Sequence, residues 1–168
     1  DVNGSYIDVG VTKKFSYGGH VFGGSRGDLA LDESSFSTSI YTEVNVGKEN
    51  TDNTTVPGHV LGNVYGGGEV GIVKQCTEVN MNDGEVGTIG YTWKRNTAHT
   101  QPYDSIFHTS GGKLFGGGKG HISKVNAALV KDSTVVNING GHVFLNVYGG
   151  GEVASVGESE EYTSRSEE

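Results

Sequence analysis

Residues 134–156 read TVVNINGGHVFLNVYGGGEVASV. Apolar and polar residues alternate there in three short segments. Thr134, Val136 and Ile138 fall on one face, Val143, Leu145 and Val147 on a second, and Val153 and Val156 on a third. Alternation with a period of two, broken by glycine after a few residues, is the pattern of β-strands. The parts of this stretch recur along the chain. Its opening returns as Thr42-Glu43-Val44-Asn45-Val46 and Thr77-Glu78-Val79-Asn80-Met81, with a looser copy at Ser5-Tyr6-Ile7-Asp8-Val9. Its aromatic–glycine portion returns as Val21-Phe22-Gly23-Gly24, Val64-Tyr65-Gly66-Gly67-Gly68 and Leu114-Phe115-Gly116-Gly117-Gly118. The octapeptide NVYGGGEV at 63–70 is repeated letter for letter at 146–153. A weaker element follows the glycines: Val70-x-x-Val73, Ile122-x-x-Val125 and Val153-x-x-Val156. No stretch has convincing helical periodicity, and the best helix candidate, 125–131, is short.

Motifs that alternate four times at a unit of roughly 20 to 30 residues are the arithmetic of stacked coils. Three short strands per repeat predict an all-β parallel solenoid of about four coils. The expected repeats are 5–41, 42–76, 77–133 and 134–157, in a single domain spanning 1–157. They differ in length through insertions at 27–41 and 47–56 and a large one at about 87–110. Corners of a solenoid tolerate such insertions, because loop closure costs little more as length grows. Residues 158–168 are acidic and polar and read as a tail or linker. Four coils at the β-strand spacing rise only about 20 Å. Open strand edges at the ends of so short a column invite pairing. The sequence therefore predicts end-to-end self-association or continuation into further repeats.

Composition excludes several classes. Of 168 residues 29 are glycine, only two are proline, and apolar residues make up 33%. The formal charge of −8 argues against binding nucleic-acid phosphates or anionic lipid. No apolar run approaches the roughly 20 residues that span a bilayer as a helix, so no transmembrane segment is expected. The single cysteine, Cys76, has no partner for an internal disulfide, and no Cys/His cluster has zinc spacing. The start at Asp1, the scarcity of cysteine and the richness in Gly, Asn, Ser and Thr suggest an exported piece of a bacterial surface protein.

The combination Gly-Gly-x-Val, Val-Tyr-Gly-Gly-Gly and Thr-x-Val-Asn-Ile resembles the glycine-rich repeats of large bacterial surface proteins, the adhesin-like and autotransporter-passenger-like right-handed parallel β-helices. The resemblance covers nearly all of 5–157. It implies export to the cell surface and a role in attachment, and it carries over no catalytic residue.

In stacked coils, equivalent positions form columns. With Val64 and Val147 inward, alternation sends Tyr65 and Tyr148 outward, joined by Phe22 and Phe115. An aromatic column beside a bare glycine strip is a candidate platform for sugar rings; the structural alternative is that it packs under a loop or in the core and glycine merely permits a tight corner. The large insertion adds Tyr91, Trp93 and Tyr103 as candidate contact residues. Asn45, Asn80 and Asn137, with Asp8, form a second column, read as a structural amide ladder. His20, His59 and His142 each precede valine, with Glu85 or Lys113 at the third-copy position, and the interruption argues against a metal site. Gly23-Gly24-Ser25-Arg26-Gly27-Asp28 matches a calcium nonapeptide only in part and contains Arg-Gly-Asp, a tripeptide that integrins read but that arises easily by chance. Asp28, Asp32, Glu33, Glu69 and Glu152 are available carboxylates, but Glu69 and Glu152 are a repeated feature, unlike the single carboxylate pair of a glycosidase. The glycine runs lack the Gly-Lys-Ser/Thr of a phosphate loop. The expectation is a non-enzymatic module without cofactor, partnered by a surface glycan or host protein. A carbohydrate-active enzyme or binding domain and a filament subunit are the alternatives.

Overall fold

In a computed structural model, residues 19–49, 54–94 and 104–157 are described. The expected strand at 5–9, Tyr103 and the tail lie outside the described residues. The chain is all-β, built chiefly on parallel ladders that join successive repeats in register. The first ladder stacks Thr42–Val46, Thr77–Met81 and Thr134–Ile138, pairing Thr42 with Thr77 with Thr134 and Asn45 with Asn80 with Asn137. The second stacks Gly58–Val60, Gly84–Val86 and His142–Val143. The third stacks Val21–Phe22, Val64–Tyr65, Leu114–Phe115 and Val147–Tyr148. The fourth is the slightest: Ser39 of strand Thr38–Ser39 pairs with Val73 of Ile72–Val73, and single bridges continue it to Val130 and Val156.

Each of the last three repeats therefore contributes four ladder positions, where the sequence predicts three strands; among the described residues the first repeat contributes Val21–Phe22 and Thr38–Ser39. Two features account for the difference. Val143, Leu145 and Val147 do not share one strand: the chain bends between His142–Val143 and Val147–Tyr148, which enter separate ladders. The element after the glycines is a ladder of its own, and its third rung is Val130 rather than Val125. Ile122 and Val125 are largely exposed, whereas Ala127, Ala128 and Val130 are fully buried. Turns occupy most of 122–128, with Ala128 at φ 58°, and the short helix candidate at 125–131 is not a helix. The segment 27–41 is likewise not pure insertion, since Thr38–Ser39 supplies the first rung of the fourth ladder.

The core follows from alternation in the first ladder. Val44, Val46, Val79 and Met81 turn inward and meet Val64, Val86 and Leu114 from the other ladders. A second cluster, Phe36, Val70 and Ala127, seals the segments that follow the glycines. The inward threonines join two motifs. The Thr42 hydroxyl donates to the Gly66 carbonyl and that of Thr77 to the Gly116 carbonyl, both at 2.6 Å, and Thr134 repeats the bond to Gly149. A buried hydroxyl needs such a partner, and a threonine heads each of the three described copies. The insertions form antiparallel hairpins outside the ladders. A small one pairs Lys48–Glu49 with Thr55–Val56; a larger one pairs Thr88–Lys94 with Asp104–Ser110 and leaves the column between the second and third ladders.

Candidate functional site

The third ladder sets one aromatic ring per repeat at the strand spacing. Phe22, Tyr65, Phe115 and Tyr148 stack with centroid separations of 4.8, 5.0 and 4.9 Å and interplanar angles of 8°, 2° and 12°. Each such pair contributes about 0.5–1.5 kcal/mol beyond the area it buries. The column exists as expected, but most of it is not a bare platform. Tyr65 is 1% and Phe115 3% exposed, on the opposite side of the strand from the equally buried Val64 and Leu114. Only Tyr148, 42% exposed, presents a substantial surface, at the end of the column.

Tyr65 is also tied by its hydroxyl. It donates to Glu152 Oε2 at 2.7 Å and accepts from Asn63 Nδ2 at 3.1 Å. Asn63 Oδ1 accepts from the Lys113 amide, and the Asn63 amide donates to His20 Nδ1. Burial, followed by the bond to Glu152, raises the phenol well above its ordinary pKa. The Tyr65–Glu152 bond reaches from the second repeat to the fourth. The ring between them, Phe115, carries no hydroxyl to compete.

The glycines are explained by close approach. A Cβ on Gly23, Gly66 or Gly116 would lie 2.2, 2.1 or 2.3 Å from a carbonyl oxygen of the next repeat. One on Gly24, Gly67 or Gly117 would lie 2.8, 2.7 or 2.7 Å from the next repeat's backbone nitrogen. No side chain fits there.

Four residues beyond each aromatic stands a charge: Arg26, Glu69, Lys119 and Glu152. Backbone bonds from Glu69 to Ser25, Lys119 to Gly68 and Glu152 to Gly118 set them in a column. Glu69 is held between Arg26 at 3.5 Å and Lys119 at 2.9 Å. This column of alternating sign is absent from the sequence-level site. The constant offset from the aromatic was the signal for it.

The amide column is a directional ladder. Asn80 Nδ2 donates to Asn45 Oδ1 at 3.1 Å, and Asn137 Nδ2 to Asn80 Oδ1 at 2.8 Å. The histidines do not form one column. His59, Glu85 and His142 stack in the second ladder, whereas His20 precedes the first aromatic and faces the Gly62–Asn63 turn. Among the described residues no three His, Cys, Asp or Glu side chains converge as metal ligands. In the partial calcium motif, Arg26 engages Glu69, and Asp28 Oδ1 accepts from the amide of Ala30. Of the insertion candidates, Tyr91 pairs with Phe107 and Trp93 with Ser105 across the larger hairpin. Cys76 is a half-buried free thiol, and among the described residues no helix is long and apolar enough to cross a membrane.

Comparison with protein-family models, with curated proteins and with solved structures finds no match to this chain.

Proposed function

We propose that this chain is a segment of right-handed parallel β-helix and serves as a non-enzymatic, adhesin-like repeat module of a bacterial cell surface. The coils are a rigid stalk. The hairpin carrying Tyr91 and Trp93, with Tyr103 between its strands in sequence, is the element that contacts a surface glycan or host protein.

One observation carries this reading. The repeated residues are spent on their own stacking: the rings stack on rings, the threonines bond glycine carbonyls, and Glu69 and Glu152 bind Arg26, Lys119 and Tyr65. A glycosidase needs two carboxylates facing an open cleft, and these two are engaged within the column. The large hairpin is a separate two-stranded sheet, free of that stacking role, and specificity is commonly placed on such insertions.

A glycan and extracellular-matrix array probed with the chain and with Trp93→Ala tests the assignment. Binding that falls in Trp93→Ala, with an unchanged circular dichroism spectrum, supports it. Equal binding by both proteins removes the hairpin from the recognition surface. Release of reducing ends from polysaccharide by the chain overturns the non-enzymatic reading.

A further inference from the structure

Gly149 and Gly150 occupy the positions of Gly66 and Gly67 one octapeptide earlier, yet a Cβ on either would meet nothing within 4 Å. Neither has a positive φ. Glycine at these positions loses backbone entropy on folding and, within the described residues, gains no contact that requires it. At the three lower positions of each column the same glycines exist because another coil lies directly above. The apolar residues around them are left open as well: Leu145 is 42%, Val147 45%, Tyr148 42% and Val153 54% exposed.

We propose that the open end of the fourth coil is the docking face for the first coil of a second copy of this chain, joined head to tail. This rests on the β-helix reading. Three patterns select that occupant. The ring column runs Phe, Tyr, Phe, Tyr, so Phe22 of the incoming copy continues it on Tyr148. The charge column runs Arg26, Glu69, Lys119, Glu152, so the incoming Arg26 sets a cation over Glu152. The hydrogen-bond polarity also matches. Val21, Val64 and Leu114 donate their amides to the carbonyls of Asn63, Lys113 and Asn146, and Gly23, Gly66 and Gly116 donate to Tyr65, Phe115 and Tyr148. In the same register Val147 and Gly149 would donate to the incoming carbonyls of His20 and Phe22.

The two-coil tie is met too, since Tyr148 would stand to the incoming Glu69 as Tyr65 stands to Glu152. The chain's own residues 158–168 are a poor occupant. They contain five glutamates and no glycine, and would crowd carboxylates against Glu152. The contact is heterologous and does not close on itself, so it builds filaments.

Sedimentation velocity over a concentration series, on the whole chain and on Gly149→Ala/Gly150→Ala, tests the proposal. The expected result is a concentration-dependent ladder of oligomers for the unaltered chain and self-association weakened by more than about tenfold for the variant. At low protein concentration, where copies are apart, the variant's circular dichroism and unfolding midpoint should not fall. Added to the unaltered chain, it should shorten the oligomers, because its first coil still docks. A monomer throughout the series, or equal association by both chains, overturns the docking face. So does a midpoint lowered in the variant at that dilution, which would mean that the chain's own tail covers the glycines. Gly67→Ala separates the two readings. If it costs no stability, the stacked β-helix itself is wrong; if it destabilises while association is unaffected by Gly149→Ala/Gly150→Ala, only the docking inference falls.

Discussion

The Thr77 hydroxyl donates to the carbonyl of Gly116 across the interior of the third repeat, at 2.6 Å and with Thr77 fully buried. The bond connects the first residue of one motif to the first glycine of the other, 39 positions away. It makes the two motifs one device: the glycine lets the next repeat approach, and the threonine satisfies the carbonyl that this approach seals from water.

Thr77→Val removes the donor at nearly constant volume and leaves that carbonyl buried without it. A loss of about 1–3 kcal/mol is expected from urea unfolding. Thr134→Val, at the half-exposed end of the same ladder, should cost clearly less, because water can reach the Gly149 carbonyl. Equal losses at both positions would contradict the role of burial.

Glycine-to-alanine substitution should change sign along the column. At Gly67 the new methyl lies 2.7 Å from the Gly118 nitrogen, so the stack must open and stability falls. At Gly150, where nothing lies within 4 Å, the substitution restricts the unfolded chain and should stabilise the single chain by about 0.4–1 kcal/mol. Thermal unfolding at low protein concentration, where copies are apart, is the measurement.

The Tyr65 phenol has a raised pKa in the folded state through burial and its bond to Glu152. The folded protein thus holds this proton more tightly than the unfolded chain does. The associated stability is intact below the unfolded value of about 10 and is lost progressively as pH rises beyond it. Alkaline unfolding should therefore include a Tyr65 component, seen in tyrosinate absorbance and absent in Tyr65→Phe. Tyr41 is pushed up to about 12 by its bond to Glu78 but is exposed, and Tyr41→Phe should leave the unfolding profile nearly unchanged.

Asp83 shows the opposite sign. The Thr55 hydroxyl and the Gly84 amide donate to its carboxylate and lower its pKa. Their contribution is present above the unfolded value of about 3.9 and disappears as pH falls through the lower folded one. Amide exchange in the small hairpin around Thr55 should accelerate at acid pH sooner than exchange in Thr77–Met81. Asp83→Asn should accelerate it already at neutral pH.

The Asn ladder gives a substitution test of its own. Asn80→Asp replaces the donor to Asn45 with a carboxylate oxygen and sets a second negative charge beside Glu78, to which Asn80 also donates at 3.1 Å. Asn80→Asp should be less stable than Asn80→Ala at neutral pH. The gap should narrow when the carboxylates are protonated, as read from urea midpoints at the two pH values.

Much of this was legible because strong repeats fix register. The alternation in Thr42–Val46 and its relatives placed the inward valines and the outward asparagines, and both columns are where that pattern puts them. The fourth ladder was harder to see, because a rung of one or two residues has no periodicity. Its third member, Val130, lies beyond a run of turns that displaces it from Val125. Alternation also says only that Tyr65 points away from Val64, not that the side it points to is wet. The carboxylate that helps to enclose Tyr65 comes from a repeat two removed, 87 positions along the chain, where no local pattern reaches.

The Phe–Tyr and cation–anion alternations make the natural unit of these ladders a pair of repeats. The two identical octapeptides lie one such pair apart. Recombination between them would remove or add residues in a block that carries one Phe–cation repeat and one Tyr–anion repeat. The ladders then change height while every ring keeps its alternate partner and every charge its opposite. Insertion of a single repeat would instead set Glu over Glu or Lys over Arg. The repeated octapeptide is thus also a ruler for how the protein can lengthen, permitting growth by even numbers of repeats.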